Sequence, residues 1–155
     1  MSEILVTGDI YLGSSSVEKL AEMEASNELF GDFSSIIKNS DFSITNLESP
    51  VTDDSTGAII KAGPILKSSK KSLNVLKSVG FDLVTLANNH ILDYGKQGLV
   101  STLDKCQEIG LNSVGAGVSI EIAKKPFVVD LQGKSIAIIN VAENEFSTIG
   151  ATPYG

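Results

Sequence analysis

Residues 81–95 read Phe81-Asp82-Leu83-Val84-Thr85-Leu86-Ala87-Asn88-Asn89-His90-Ile91-Leu92-Asp93-Tyr94-Gly95, and their pattern decides the fold class. Residues 81–87 are nearly continuous in apolar and β-forming side chains, as in a strand of a parallel sheet with both faces covered. The run breaks into Asn88, Asn89 and His90 and then turns at Asp93 and Gly95. In an open α/β sheet, ligands bind beyond the carboxyl ends of such strands.

Working outward, residues 69–79 carry Leu73, Val75, Leu76 and Val79 at helical spacing and close at Gly80, a left-handed helix cap. A second helix is expected over 96–109, ending at Gly110, followed by a short strand over 112–115. Upstream, Ile4-Leu5-Val6-Thr7 is a buried strand that stops at Gly8-Asp9. Residues 17–38 show helical spacing interrupted near Asn27 and Gly31, which predicts two helices or one broken helix. Phe42-Ser43-Ile44-Thr45 is a second strand running out into Asn46-Leu47-Glu48-Ser49-Pro50, where the proline ends any ladder. Residues 51–69 form a long loop with a short β excursion at Ala58-Ile59-Ile60, and loops of this length are commonly functional. Residues 127–131 and 134–141 flank Gln132-Gly133 as a hairpin, and an unpatterned tail follows Glu143 and Asn144.

Strands alternating with helices predict an α/β domain with a largely parallel sheet, one domain over residues 1–155. Four strand ends then bring polar groups to one edge: Asp9; Asn46 and Glu48; Asn88, Asn89 and His90; Glu143 and Asn144. Carboxylates, amide oxygens and an imidazole suit a divalent metal, Mn²⁺, Mg²⁺, Fe or Zn²⁺, and the lack of thiolates disfavours a structural zinc site. Asn88-Asn89-His90 sets an amide oxygen for a metal beside an imidazole for proton transfer. Asp93 is either a turn residue or the acceptor that orients His90. Taken singly, Asp9 is an ordinary turn residue and Glu48 a solvated acid; their convergence is the signal.

Composition excludes several classes. Twelve Lys+Arg against nineteen Asp+Glu give a net charge of −7, which argues against nucleic acid as a partner. The 42% hydrophobic content is that of a folded chain, not of a disordered one. A single cysteine, Cys106, excludes an intrachain disulfide and reads as a buried thiol. Gly115-Ala116-Gly117 lacks the third glycine of a dinucleotide loop, since Ile120 stands there, and neither a P-loop nor a nucleophile elbow occurs. Lys67, Lys70 and Lys71 read as a solvated helix start. No apolar run approaches a membrane span, so the chain as given is expected to be cytoplasmic, or membrane-associated or extracytoplasmic if an anchor or export signal precedes Met1.

Gly8-Asp9, Asn46-Leu47-Glu48-Ser49-Pro50, Ala87-Asn88-Asn89-His90 with Asp93-Tyr94-Gly95, and Gly115-Ala116-Gly117 together resemble, in order and spacing, the CapA family of poly-γ-glutamate capsule biosynthesis proteins. That family is similar to the calcineurin-like metallophosphoesterases. The resemblance implies a metallophosphoesterase-like four-layer sandwich, of which this chain would be an amino-terminal portion. It also implies that Asp9, Glu48 and Asn89 are metal ligands and that His90 faces the substrate; with the residue reading above, His90 and Asp93 are the catalytic candidates, and Asn46 and Asn88 are additional candidates for the site. The sequence departs from the phosphoesterase pattern at Tyr11, where those enzymes have a histidine, and at Ile91, where they have an acid. No histidine follows His90, so the implied site is half of a metal centre and the portion by itself inactive. The implied roles are a metal-dependent hydrolase acting on a phosphoester or a polyglutamate, or a non-catalytic assembly, export or polymer-binding component that meets other capsule-synthesis proteins. Half of a sandwich exposes apolar faces, so the chain is expected to self-associate; light scattering checks this, and a clean monomer would contradict it.

Overall fold

The computed structural model describes residues 2–55 and 57–143. Four strands lie side by side in chain order, β1 (Ile4–Ile10), β2 (Phe42–Leu47), β3 (Leu83–Thr85) and β4 (Asn112–Val114), each pair parallel. The connections are α1 (Ser15–Glu22), α2 (Ser26–Phe30) and α3 (Phe33–Asn39), then α4 (Lys70–Val79), then α5 (Gly95–Glu108). A short α6 (Ile120–Ala123) leads into an antiparallel hairpin of β5 (Phe127–Leu131) and β6 (Lys134–Ile138). The α/β class and the parallel sheet are as the sequence predicts, and the layout is consistent with a metallophosphoesterase-like fold.

Right-handed crossovers in a sheet of sequential order put every connecting helix on one face, and strand alternation divides the apolar side chains accordingly. Leu5, Leu47 and Val84 join Val17, Ile37, Leu73, Leu76, Leu99 and Cys106 in the core beneath the helices. Ile4, Phe42, Ile44, Leu83 and Val114 point the other way and meet Phe127, Val129, Leu131 and Ile138 of the hairpin. Phe42 and Phe127 stack across that contact at 5.8 Å. The hairpin leaves part of this face open, and Val6 on β1 is 69% exposed.

Helix boundaries follow side-chain chemistry. Ser14 Oγ caps α1 by accepting from Val17 N, and Ser69 Oγ caps α4 by accepting from Ser72 N. Gly80 closes α4 at φ +113°, the left-handed cap read from the sequence. Residues 17–38 resolve into parts of three helices, broken where Glu24 and Gly31 take positive φ.

Several boundaries differ from expectation. Strand β1 does not stop at Gly8-Asp9 but continues to Ile10, so Asp9 lies within it. The register slips between Val6 and Asp9, and there Thr45 Oγ1 donates to the Gly8 carbonyl at 3.0 Å, satisfying an acceptor that an irregular ladder leaves over. Asn46 likewise lies inside β2. β3 is confined to Leu83–Thr85 because Phe81 N bonds back to Leu76 O in the exit from α4. The β excursion at residues 58–60 does not occur. Instead the loop is pinched at its base by a parallel bridge of Val51 with Ser68, with Thr52 N to Ser68 O and Ser68 N to Pro50 O both at 2.9 Å. β6 ends at Ile138, and Asn144 lies outside the described residues.

Among the described residues no helix is long and apolar enough to cross a membrane. Cys106 on α5 is 1% exposed, and burial pushes its thiol up to about 12. The thiolate that alkylating reagents need is therefore scarce in the folded chain. Iodoacetamide at pH 8 should leave Cys106 unmodified in native protein and label it fully in denaturant, read by intact mass.

Candidate functional site

Sheet register builds the site before any side chain does. Asp9 pairs with Asn46, and Asn46 with Thr85, so these three residues form one row across β1, β2 and β3. Asn46 Nδ2 donates to Asp9 Oδ1 at 2.7 Å, and Asn46 Oδ1 accepts from Thr85 Oγ1 at 3.1 Å and Asn88 Nδ2 at 3.3 Å. Asn88 Nδ2 also donates to Leu47 O at 2.9 Å, while its Oδ1 accepts from the main-chain N–H of His90 and of Ile91. Every hydrogen-bonding site of the Asn88 amide is thereby used. Asn88 folds the turn after β3 and ties it to β2.

Glu48 follows β2 by one residue. Its N–H bonds to Ile10 O at 3.0 Å and extends the ladder with β1. The Glu48 side chain is half-buried. Asn89 is half-buried in the turn after β3, and Asp9 is exposed.

His90 and Asp93 are buried together. His90 Nδ1 stands 2.7 Å from Asp93 Oδ2, the second of the two alternatives for Asp93. Asp93 Oδ2 also accepts from Leu66 N at 2.6 Å, and its Oδ1 pairs with the ammonium of Lys61. Lys61 further donates to Asn89 O at 2.8 Å. Ile59 N bonds to Asp93 O at 2.9 Å, so the loop over residues 57–67 wraps the turn that carries His90.

Three contributors were not legible in the sequence. Lys61 lies in a polar loop with no periodicity to mark it as buried. Thr85 reads as one more β-former in an apolar strand. Asn140 falls inside the expected strand over 134–141, yet its Oδ1 accepts from Ala87 N at 2.6 Å and holds the end of the β3 segment. Gly115, at φ +95°, makes room for it, since a Cβ there would lie 2.1 Å from Asn140 Oδ1. The only sequence cue to this contact is the glycine itself.

A cleft of about 410 Å³ opens beyond β1, lined by Tyr11, Glu18, Thr52, Asp53, Lys67 and Ser69 among others. Of the lysines read as a solvated helix start, Lys70 and Lys71 are exposed at the first turn of α4, and Lys71 pairs with Glu22 at 2.9 Å, which raises its pKa through that hydrogen bond and charge. Lys67 departs from the reading, half-buried ahead of the helix with its ammonium on the Asp54 carbonyl at 3.0 Å. Lys67 sits 5.4 Å over the Tyr94 ring.

Among the described residues, no group of three or more His, Cys, Asp and Glu side chains is gathered closely enough to hold a metal ion. The donors at the edge are two carboxylates, Asp9 and Glu48, with the amide of Asn89. All are hard oxygens, a chemistry that fits Mg²⁺ or Mn²⁺ with water completing the shell.

A family model described as "Bacterial capsule synthesis protein PGA_cap" matches residues 3–153. Among curated proteins, the chain is 37% identical over 118 residues to the PGA biosynthesis protein CapA of Bacillus subtilis, covering 76% of this chain and 31% of that protein. It is 29% identical over 140 residues to the capsule biosynthesis protein CapA of Bacillus anthracis, covering 89% and 34%. A probable polyglutamine synthesis accessory protein of Mycobacterium tuberculosis matches at 28% over 123 residues, covering 77% and 32%. The chain thus spans about a third of the length of these relatives.

Replacing Asn88 by Ala strips the hydrogen bonds that join β2 to the turn and leaves half-buried partners unsatisfied. The expected cost is on the order of 2–4 kcal/mol of stability, measured as a lowered midpoint in urea unfolding.

Proposed function

The chain belongs to the bacterial capsule synthesis protein family PGA_cap, and on that premise we propose that it serves the biosynthesis of capsular poly-γ-glutamate through a divalent-cation site at the carboxyl ends of β1, β2 and β3. The observation that carries this reading is the row of Asp9, Asn46 and Thr85, bonded through Asn88 to the turn that bears Asn89 and His90. A metal site needs ligands from separate segments held in fixed relation, and that network supplies the fixing. In this proposal Asp9, Glu48 and Asn89 hold the ion. His90, oriented by Asp93, moves a proton to or from the reacting group. A cation held by these residues would supply a more acidic water and would polarise a phosphoryl or acyl centre. The chain's net charge of −7 opposes a polyglutamate chain, so the cation also relieves repulsion between protein and polymer.

A second reading, in which the same edge binds polymer or partner proteins without catalysis, is favoured by one observation. Ile91, standing where the phosphoesterases carry an acid, is 7% exposed and belongs to the core beneath the helices. That position is committed to packing.

Calorimetric titration with Mn²⁺ separates the two. Weak binding, with Kd on the order of 10⁻⁴–10⁻³ M, is expected for the wild-type chain, abolished in Glu48→Ala and retained in His90→Ala. A folded chain that shows no heat of binding at millimolar Mn²⁺ would remove the metal reading and leave the non-catalytic one. Turnover of a generic phosphodiester, followed in the same samples, tests catalysis directly.

A further inference from the structure

Lys61 sits in the middle of the loop between β2 and α4, yet its side chain is only 6% exposed. An ammonium leaves water at high cost unless charge and acceptors replace the solvent. Here it meets the Asn89 carbonyl at 2.8 Å and the Asp93 carboxylate, with His90 Nδ1 at 3.3 Å. One loop side chain, 28 residues away in sequence from Asn89, therefore touches the whole of the turn that carries the candidate site.

His90 Nδ1 faces both Lys61 and Asp93, and the chemistry of the two neighbours differs. An ammonium has only protons to give, so it can bond Nδ1 only through a ring lone pair. A carboxylate has only lone pairs, so it can bond Nδ1 only through a ring proton. Asp93 Oδ2 lies at 2.7 Å, a full hydrogen-bond contact at which two facing lone pairs would repel, whereas the ammonium lies at 3.3 Å, beyond the usual N–H···N bond. The shorter contact is the one that a proton on Nδ1 satisfies, which in the neutral ring leaves the free lone pair on Nε2. Asp93 Oδ1 is sealed from water and, among the described residues, meets no donor besides the Lys61 ammonium. Without Lys61 the buried Oδ1 loses its counter-charge while Oδ2 keeps only the Leu66 N–H and the ring, so the orientation of the carboxylate toward Nδ1 is less tightly fixed.

We propose that Lys61 is a positioning residue of this site: paired with Asp93 it fixes His90 as the Nδ1–H tautomer with Nε2 as the free acceptor, and it holds Asn89 by its main-chain carbonyl. The functional meaning of this arrangement rests on the metal-site reading above, but its geometry stands apart from it.

His90 is the sole histidine, so a long-range ¹H–¹⁵N correlation spectrum of the metal-free, ¹⁵N-labelled chain reports one imidazole. At a pH where the ring is neutral, wild type should show a pyrrole-like Nδ1 and a pyridine-like Nε2, the reverse of the tautomer a neutral histidine side chain favours in water. In Lys61→Met both nitrogen shifts should move toward the tautomer average while far-UV circular dichroism stays unchanged. If that variant does not fold, Lys61→Gln, which keeps a donor for Asp93 Oδ1 but not the charge, takes its place and should move both nitrogen shifts in the same direction by less. A wild-type spectrum of the Nε2–H form overturns the proposal, as does a folded variant that keeps the wild-type pattern. Adding Mn²⁺ to the wild-type sample keeps the two readings distinct. An Nδ1–H ring in a chain that binds no Mn²⁺ retains the role of Lys61 and removes the metal site; Mn²⁺ binding with an Nε2–H ring does the opposite.

Discussion

The carboxylate of Asp93 is 1% exposed, and a charge so far from water persists only where the chain brings it a counter-charge and hydrogen-bond donors. Much of the molecule around the strand ends meets that demand. The loop after β2 folds back to deliver Lys61 and the Leu66 N–H, the turn after β3 delivers the His90 ring, and the Ile59 N–H takes the Asp93 carbonyl. A loop that would otherwise gain little by ordering is thereby given a fixed path. Its base is held separately, by Val51 N on Thr102 Oγ1 of α5 at 2.7 Å and by the hydroxyl pair of Ser49 and Ser68, also at 2.7 Å. The strand-end edge is thus anchored at both ends of the same loop.

The elements written in periodic apolar residues were legible in the sequence. Helix α4 with its Gly80 cap, helix α5, the hairpin about Gln132-Gly133, and the parallel character of the sheet all follow from patterns that a short window contains. The convergence of Asp9, Asn46, Asn88 and His90 was legible for the same reason, since strand ends in an α/β sheet share an edge whatever the details. The rest depends on contacts between distant segments. Nothing local distinguishes Lys61 from a solvated lysine; its burial is decided by an aspartate elsewhere in the chain. The run of β1 past Gly8 depends on the Thr45 hydroxyl of the neighbouring strand, which no reading of residues 4–10 contains.

Asn46 and Asn88 illustrate a different limit. Residue type and position place both at the edge, and the structure places them there as well. Their amides, however, are engaged with Asp9, Thr85, Leu47 and the turn backbone. Sequence gives the location of an amide but not which of its hydrogen bonds are already satisfied. Glu48 and Asp9 differ from them in being carboxylates, the side chains on which the proposed cation site leans most.

The sequential order of the sheet bears on how the molecule comes into being. Within the four-stranded sheet, each strand after β1 pairs with the one synthesised just before it, so each βα unit can add its part of that sheet as it leaves the ribosome. One contact of the edge reaches much further along the chain: the bond from Ala87 N to Asn140 Oδ1 spans 53 residues. The segment that leads into Asn88, Asn89 and His90 therefore gains this bond only after the hairpin has emerged and folded back. Birth order in this chain runs from scaffold to site, and a nascent polypeptide halted before residue 140 carries the sheet without its finished edge.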